Sequence, residues 1–359
     1  MRRILLVVGL LIGPMTLGAN WNVFRGDPTQ NGVASGKLPD KLDVLWKFSV
    51  EEGFENGLAV VGDVVYAPCL DEHLYALDRA TGKQRWKFKG GSFKAPPAVQ
   101  GKRLVVGDID GNIFAVDLNE GKQSWKFEAR GEAGGANFEG EDVLVTSHDE
   151  HLYKISKEGK LVWKFKTEGA IYGSVSLTQG KTFLVGCDSK LHVIDTKTGK
   201  ADRSVDLEAQ TAGTAAVFGD VIYIGTMGNE VKAIDWKKGE VVWSYKPRRS
   251  DGFYSSPAVN DSYVVVGSRD KRLHCLNRKT GAAEWTFLTG NKVDSSPVIV
   301  GDRVVFGSMD EHLYVLNLTN GKELQKLRLD GAISGSPAVV DGKVYIGTQK
   351  GSVYCLGAK

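Results

Sequence analysis

The sequence predicts an all-β fold: an eight-bladed β-propeller of four-stranded blades, closed by pairing the N-terminal strand with the last blade. Three observations carry this. The unit Leu74-Tyr75-Ala76-Leu77-Asp78, a Thr81-Gly82-Lys83 turn and Trp86 returns at Val116-Asp117 to Gly121-Lys122 to Trp125, at Ile234-Asp235 to Gly239 to Trp243, and at Leu276-Asn277 to Thr280-Gly281 to Trp285. The Trp position recurs about every 40 residues, at 46, 86, 125, 163, 203, 243, 285 and 325, the size of a four-stranded blade. The chain also begins its repeats with an orphan Trp strand, Val44 to Phe48, and ends them after a third strand, Ser352 to Leu356. Those two fragments make one blade, which seals the ring and removes two exposed sheet edges.

Residues 1 to 19 read as a signal peptide. Arg2 and Arg3 form a positive start, Ile4 to Ile12 an apolar run too short to span a bilayer, and Leu17-Gly18-Ala19 a cleavage site. No Cys follows, so a lipid anchor is not expected there. The chain is read as exported, periplasmic or extracellular, with no transmembrane segment. Residues 20 to 42 are punctuated by Gly and Pro and read as irregular, with Trp21 and Phe24 packing against the main body.

The propeller domain then occupies 43 to 359. Each unit opens with a small-residue strand, such as Pro97 to Gln100 or Ser336 to Val340, and turns on a polar pair such as Gly62-Asp63. The second and third strands lack charge on both faces, so they are read as covered on both sides. The Asp of each unit suits an Asx-turn, and Gly82, Gly121, Gly199, Gly239, Gly281 and Gly321 supply backbone freedom for it. Trp46, Trp86, Trp125, Trp163, Trp243 and Trp285 re-enter the sheet and cover the next blade, each needing one N–H partner. Arg203 and Gln325 replace the Trp in two units, and Ser156 to Gly159 makes a shorter turn. All of these are read as scaffold.

Composition narrows function by exclusion. The formal charge of +3 falls to +1 once Arg2 and Arg3 leave with the leader, which gives no electrostatic case for nucleic acid. Cys69, Cys187, Cys275 and Cys355 form no CxxC or adjacent pair and are read as buried small residues. The triplet Asp-Glu-His at 71–73, 149–151 and 310–312 has metal-ligand chemistry, but its copies lie on different blades. They are read as solvated turn residues, and no metal site is expected. The lysine of the repeated Trp-Lys-Phe is read as edge protection.

The Ala-Leu-Asp-x-x-Thr-Gly-Lys-x-x-Trp unit resembles the repeat of the quinoprotein (PQQ-type) β-propeller superfamily. That superfamily includes PQQ-dependent alcohol dehydrogenases and non-enzymatic outer-membrane assembly factors of the BamB type, both eight-bladed. The dehydrogenases imply PQQ and Ca²⁺ held at the mouth of the ring by acidic and amide ligands, with a catalytic Asp, and often an adjacent Cys pair. The BamB type implies a monomeric scaffold for a protein partner in the cell envelope, with no cofactor and no catalytic residue. Minimal blade length, the absence of an adjacent Cys pair and the lack of HExxH, P-loop or GxSxG favour the scaffold. The alternative is a PQQ-dependent enzyme or a propeller binding a small molecule or polysaccharide. Partner-binding candidates are taken from the loops where the units differ: Phe93, Lys94, Tyr172, Arg248, Arg249, Phe253, Tyr254, Lys292 and Asp294, centred on the long connection from Lys246 to Tyr254.

Overall fold

The computed structural model describes residues 20–248 and 251–359. The leader and Arg249 therefore lie outside the described residues. Among those residues every element is a β-strand, and they form eight sheets. Blades 1 to 7 span 59–89, 98–128, 133–166, 176–206, 216–245, 258–288 and 298–328. Blade 8 takes its first three strands from 338–357 and its fourth from Asp43–Ser49, which pairs antiparallel with Ser352–Gly357. The predicted closure is what the structure has. No helix among the described residues is long and apolar enough to cross a membrane.

The first strands ring the axis and are shorter than the sequence suggested, mostly two or three residues. Second and third strands are buried along nearly their whole length, as at Val64–Pro68 and Leu104 to Gly107. The core lies between blades: Tyr66 and Leu74 of blade 1 pack with Leu104 and Phe114 of blade 2. This explains the uncharged runs, since both faces of each sheet meet a neighbour. Cys69, Cys275 and Cys355 lie in that interior as free thiols, whereas Cys187 is only half-buried because it stands in an exposed turn.

Each Trp is a clasp between blades. The Trp46 indole lies against Gly82 of blade 1, and its N–H donates to the Arg79 carbonyl at 3.0 Å. Trp86, Trp125, Trp163, Trp243 and Trp285 repeat this against Gly121, Gly159, Gly199, Gly281 and Gly321. The turn glycines are thus required twice over, for a positive φ and for the room the indole takes. The two exceptions also fit. Arg203 lies over Gly239 in place of an indole. Gln325 stands where the following blade has no such turn, and it exchanges two 2.8 Å hydrogen bonds with the backbone of Leu42. Gln325→Ala leaves both Leu42 groups without those partners, and a loss of about 1–3 kcal/mol is expected in urea melts.

The N-terminal segment is more ordered than its composition suggested. Trp21 bridges to Val60, and Val33–Ala34 adds a short parallel strand to blade 7. Between them the chain winds round the bore. Carbonyls of Trp21, Asn22, Pro28, Thr29, Asn31 and Gly32 accept from the amides of Val60, Val99, Leu177, Val217, Val259 and Ile299, each on the first strand of a different blade. Arg25 is wholly buried and donates to the carbonyls of Ser296, Pro257 and Pro297. Burial lowers its pKa, and the charge of nearby Asp27 partly offsets that. Trp21 is buried as expected, and Phe24 is half-buried at the inner end of the bore's open mouth.

Candidate functional site

In an antiparallel four-stranded blade, the second-to-third turns and the connections between blades emerge on one face. Hydrogen bonds tie the two sets together there, as from Phe93 N–H to the Cys69 carbonyl and from Ser92 Oγ to the Leu70 carbonyl. At the centre of this face a funnel of about 280 Å³ opens, with connections from all eight blades on its wall and Phe24 of the N-terminal segment among its lining.

The wall is built in tiers, one residue per blade. The outermost tier faces inward to the core and holds Phe54, Phe93, Ile171, Phe253, Val293 and Ile333, all buried. Phe253 sits so close to Gly225 of blade 5 that a Cβ there would fall 2.5 Å from its own. Phe93 and Phe253, expected to meet a partner, are therefore core residues, and that expectation is corrected. The next tier faces the funnel and varies most: Glu55, Lys94, Tyr172, Ala212, Tyr254, Asp294 and Ser334. Lys94, Tyr172, Tyr254 and Asp294 are thus brought together as predicted, with Lys292 beside Asp294 at 3.5 Å. Arg248 is exposed on the same face, outside the funnel lining.

Deeper still is a run of hydroxyls. The backbone amides of Ser174, Thr214, Ser256 and Ser296 donate to the hydroxyls of Thr214, Ser256, Ser296 and Ser336, at 2.8 to 3.1 Å. The matching positions in the first two blades are Gly57 and Pro96, and there Phe24 fills the space.

Two polar groups stand on the rim. On blades 6 and 7, Arg269 makes a two-pronged ion pair with Asp294 at 3.0 and 3.2 Å. Its guanidinium carbon lies 3.4 Å from the Tyr254 ring centroid, a close cation–π contact. Arg269 was not anticipated from sequence. Its turn position holds Leu70, Ile109, His148, Cys187, Met227, Met309 and Gln349 in the other blades, so only an alignment of the eight turns marks it as the one arginine. On blades 3 and 4, the His148 ring meets the exposed Tyr172 at 4.5 Å and lies 3.7 Å from Glu132. Burial lowers the His148 pKa; Glu132 opposes the shift and Lys94 adds to it.

The Asp-Glu-His triplets are not simply solvated. Asp71, Asp149 and Asp310 each accept from the backbone of the following His and from a tyrosine hydroxyl two residues further on, Tyr75, Tyr153 and Tyr314. The intervening Glu72, Glu150 and Glu311 take a left-handed φ of 68° to 71°. These are turn locks of blades 1, 3 and 7, because the hairpin needs both an Asx bond and a positive φ.

Similarity to known proteins follows this geometry. The family model described as outer membrane protein assembly factor BamB matches residues 40–136, 129–246 and 203–359, nearly the whole propeller. The chain belongs to the BamB family. One BamB, from Nitrosomonas eutropha, is 31% identical over 109 residues, 30% of this chain and 26% of that protein. A beta-alanine-activating enzyme from Drosophila melanogaster is 30% identical over 139 residues, 33% of this chain and 14% of that protein. The chain thus spans about a quarter of the length of one of these relatives and 14% of the other in alignment. Among solved structures, BamB from Moraxella catarrhalis matches with a TM-score of 0.77 at 19% identity, over 89% of this chain and all of that one. Quinohemoprotein alcohol dehydrogenase from Comamonas testosteroni gives 0.83 at 12% identity, over 94% and 80%. Such identities establish a shared fold.

The dehydrogenase likeness raises PQQ and Ca²⁺, which need converging oxygen donors. The funnel's carboxylates are Glu55, Glu132 and Asp294, on blades 1, 3 and 7 or their approaches. Asp294 is held by Arg269, and Glu132 faces His148. Among the described residues no three His, Cys, Asp or Glu side chains gather to hold a metal ion. The funnel's carboxylates thus stand on separate blades, with Asp294 and Glu132 each already engaged.

Proposed function

We propose that this BamB-family chain is a non-catalytic scaffold of the cell envelope whose funnel face holds a protein partner of the outer-membrane assembly machinery. The observation that carries the reading is where the variation falls. A frame repeated eight times keeps the Trp clasp at six seams, and many of its differences fall in the funnel tier and the rim turns. Exposed Ile109 and Tyr172 stand there as apolar contacts on rigid turns, the kind of position that binding uses. The Nitrosomonas relative's name supports the assembly role, and the sequence-read leader supports export.

The test is site-specific photocrosslinking in intact cells. A photoreactive residue in place of Tyr172 should capture one discrete envelope protein, while the same residue in place of Lys83, exposed on the opposite face, should not. Equal capture at both positions, or none at Tyr172, overturns the reading. Dye-linked alcohol oxidation by purified protein given PQQ and Ca²⁺ should stay at background; turnover with a bound quinone would replace the scaffold by an enzyme.

A further inference from the structure

Charge on the funnel face is split between sectors. The connections and turns from 50–58 through 226–230, on blades 1 to 5, carry fourteen carboxylates against Lys94 and Arg130, with strand-end Lys89, Lys166, Lys190 and Lys232 pairing with Glu72, Glu150, Glu168 and Glu208. Blade 6 reverses this. Its approach and its turn hold Lys246, Arg248, Arg269 and Lys271 against Asp251 and Asp270, and Lys292 follows with Asp294 on the way into blade 7. Arg248 and Lys271 are exposed, and among the described residues neither makes an ion pair. Arg269 is held rigid by Asp294, which balances its charge, and by Tyr254, so it fixes guanidinium N–H groups and an aromatic ring in place beside Arg248 and Lys271.

We infer that the blade 6 sector, Arg248, Arg269 and Lys271 beside Tyr254, docks an acidic segment of the protein partner. The inference rests on the scaffold reading and adds the partner's chemistry. A broad anionic surface is a poor match, because a bilayer or a nucleic acid laid on this face would meet the carboxylates of five blades. A narrow acidic segment confined to blade 6 avoids them. Its flanks would fit best if basic, since the neighbouring sectors are acidic, and such complementarity speeds encounter and sets register.

The probe is a fluorescein-labelled peptide of repeating Glu-Glu-Tyr, titrated with purified full-length protein by fluorescence anisotropy. Saturable binding should weaken about tenfold between about 0.05 and 0.5 M NaCl. Arg248→Glu with Lys271→Glu should weaken it by a similar factor, and Glu52→Lys with Glu72→Lys should not. Lys271→Glu is compatible with folding, because Glu72, Glu150 and Glu311 hold the same turn position at nearly the same φ. Arg248→Gln with Lys271→Gln, expected to lose about half that effect on a logarithmic scale, repeats the test without new charge. Affinity within about twofold of wild type in both double variants overturns the inference. So does sedimentation with phosphatidylglycerol vesicles that the double reversal abolishes, which would make the sector a membrane contact. If Tyr172 crosslinking persists while the peptide result fails, the scaffold reading stands and only the acidic partner falls; loss of the crosslink removes the scaffold reading itself.

Discussion

Deleting residues 20–50 will abolish the cooperative unfolding transition of the whole ring, the largest effect expected of any single change here. The segment has two structural jobs that other proteins might divide. Its end, Asp43–Ser49, is the fourth strand of blade 8 and covers Ser352–Gly357. Its beginning fills the bore and takes hydrogen bonds from the first strands of six blades. Without it, those six amides and the three carbonyls that hold Arg25 lose their partners at once. Each unmet buried group costs about 1–3 kcal/mol, while a domain holds only about 5–15 kcal/mol in total. Circular dichroism melts of the truncation should show a broad, low-temperature loss of structure or aggregation. Adding a peptide of residues 20–50 in trans should restore part of the transition. A truncation that melts like the full-length protein would show that the ring closes without this segment. Arg25→Ala isolates one part: about 3–5 kcal/mol is expected, because three buried carbonyls are orphaned together.

The blades were legible in the sequence because each copy reinforces the others. A lone Asp-x-x-Thr-Gly-Lys turn would have said little, and eight at one period leave few other folds. Gln325, read only as a departure from the Trp pattern, marks the seam where the neighbouring blade has no such turn, whereas Arg203 lies over the same turn in place of an indole. The path of residues 21–34 was not legible, for a physical reason. Its partners are backbone amides, which every residue carries, so no side-chain pattern announces them. The one visible trace is glycine: a Cβ on Gly26 would strike the Trp21 indole, and one on Gly32 would strike the Arg25 guanidinium.

At the candidate site, Tyr254, Lys292 and Asp294 stood out in the sequence because they break the repeat, and Tyr254 and Asp294 line the funnel. Phe93 and Phe253 were misplaced for the opposite reason. Each lies in a loop between strands, yet each stands in a column with Phe54, Ile171 and Ile333 that is apolar in most blades. A column read across blades separates core from surface; a loop read alone does not.

The clasp gives the second large effect, and the fold supplies its own control. Gly281→Ala will destabilise the protein by about 3 kcal/mol, against about 1 kcal/mol for Gly239→Ala. The two glycines occupy the same turn position in neighbouring repeats, with φ of 71° and 79°. A left-handed alanine therefore costs about the same at both. The difference lies in what the new methyl meets. At Gly281 it would fall 2.6 Å from two atoms of the Trp243 indole, a rigid ring whose N–H is tied to the Arg278 carbonyl. At Gly239 it would fall 2.6 Å from the tip of Arg203, a flexible side chain that can swing aside. Gly62→Ala, at a φ of 60° with nothing within 4 Å, gives the backbone cost alone and should match Gly239→Ala. Urea melts of the three variants decide it, with m-values compared to confirm one transition. Equal losses at all three would mean that these glycines serve the turn only, and that the indole gives way easily. A larger loss at Gly281 means that blade spacing is set by the indole and that each such glycine is required by its neighbour's ring, so that the repeat unit is defined across two blades and not within one.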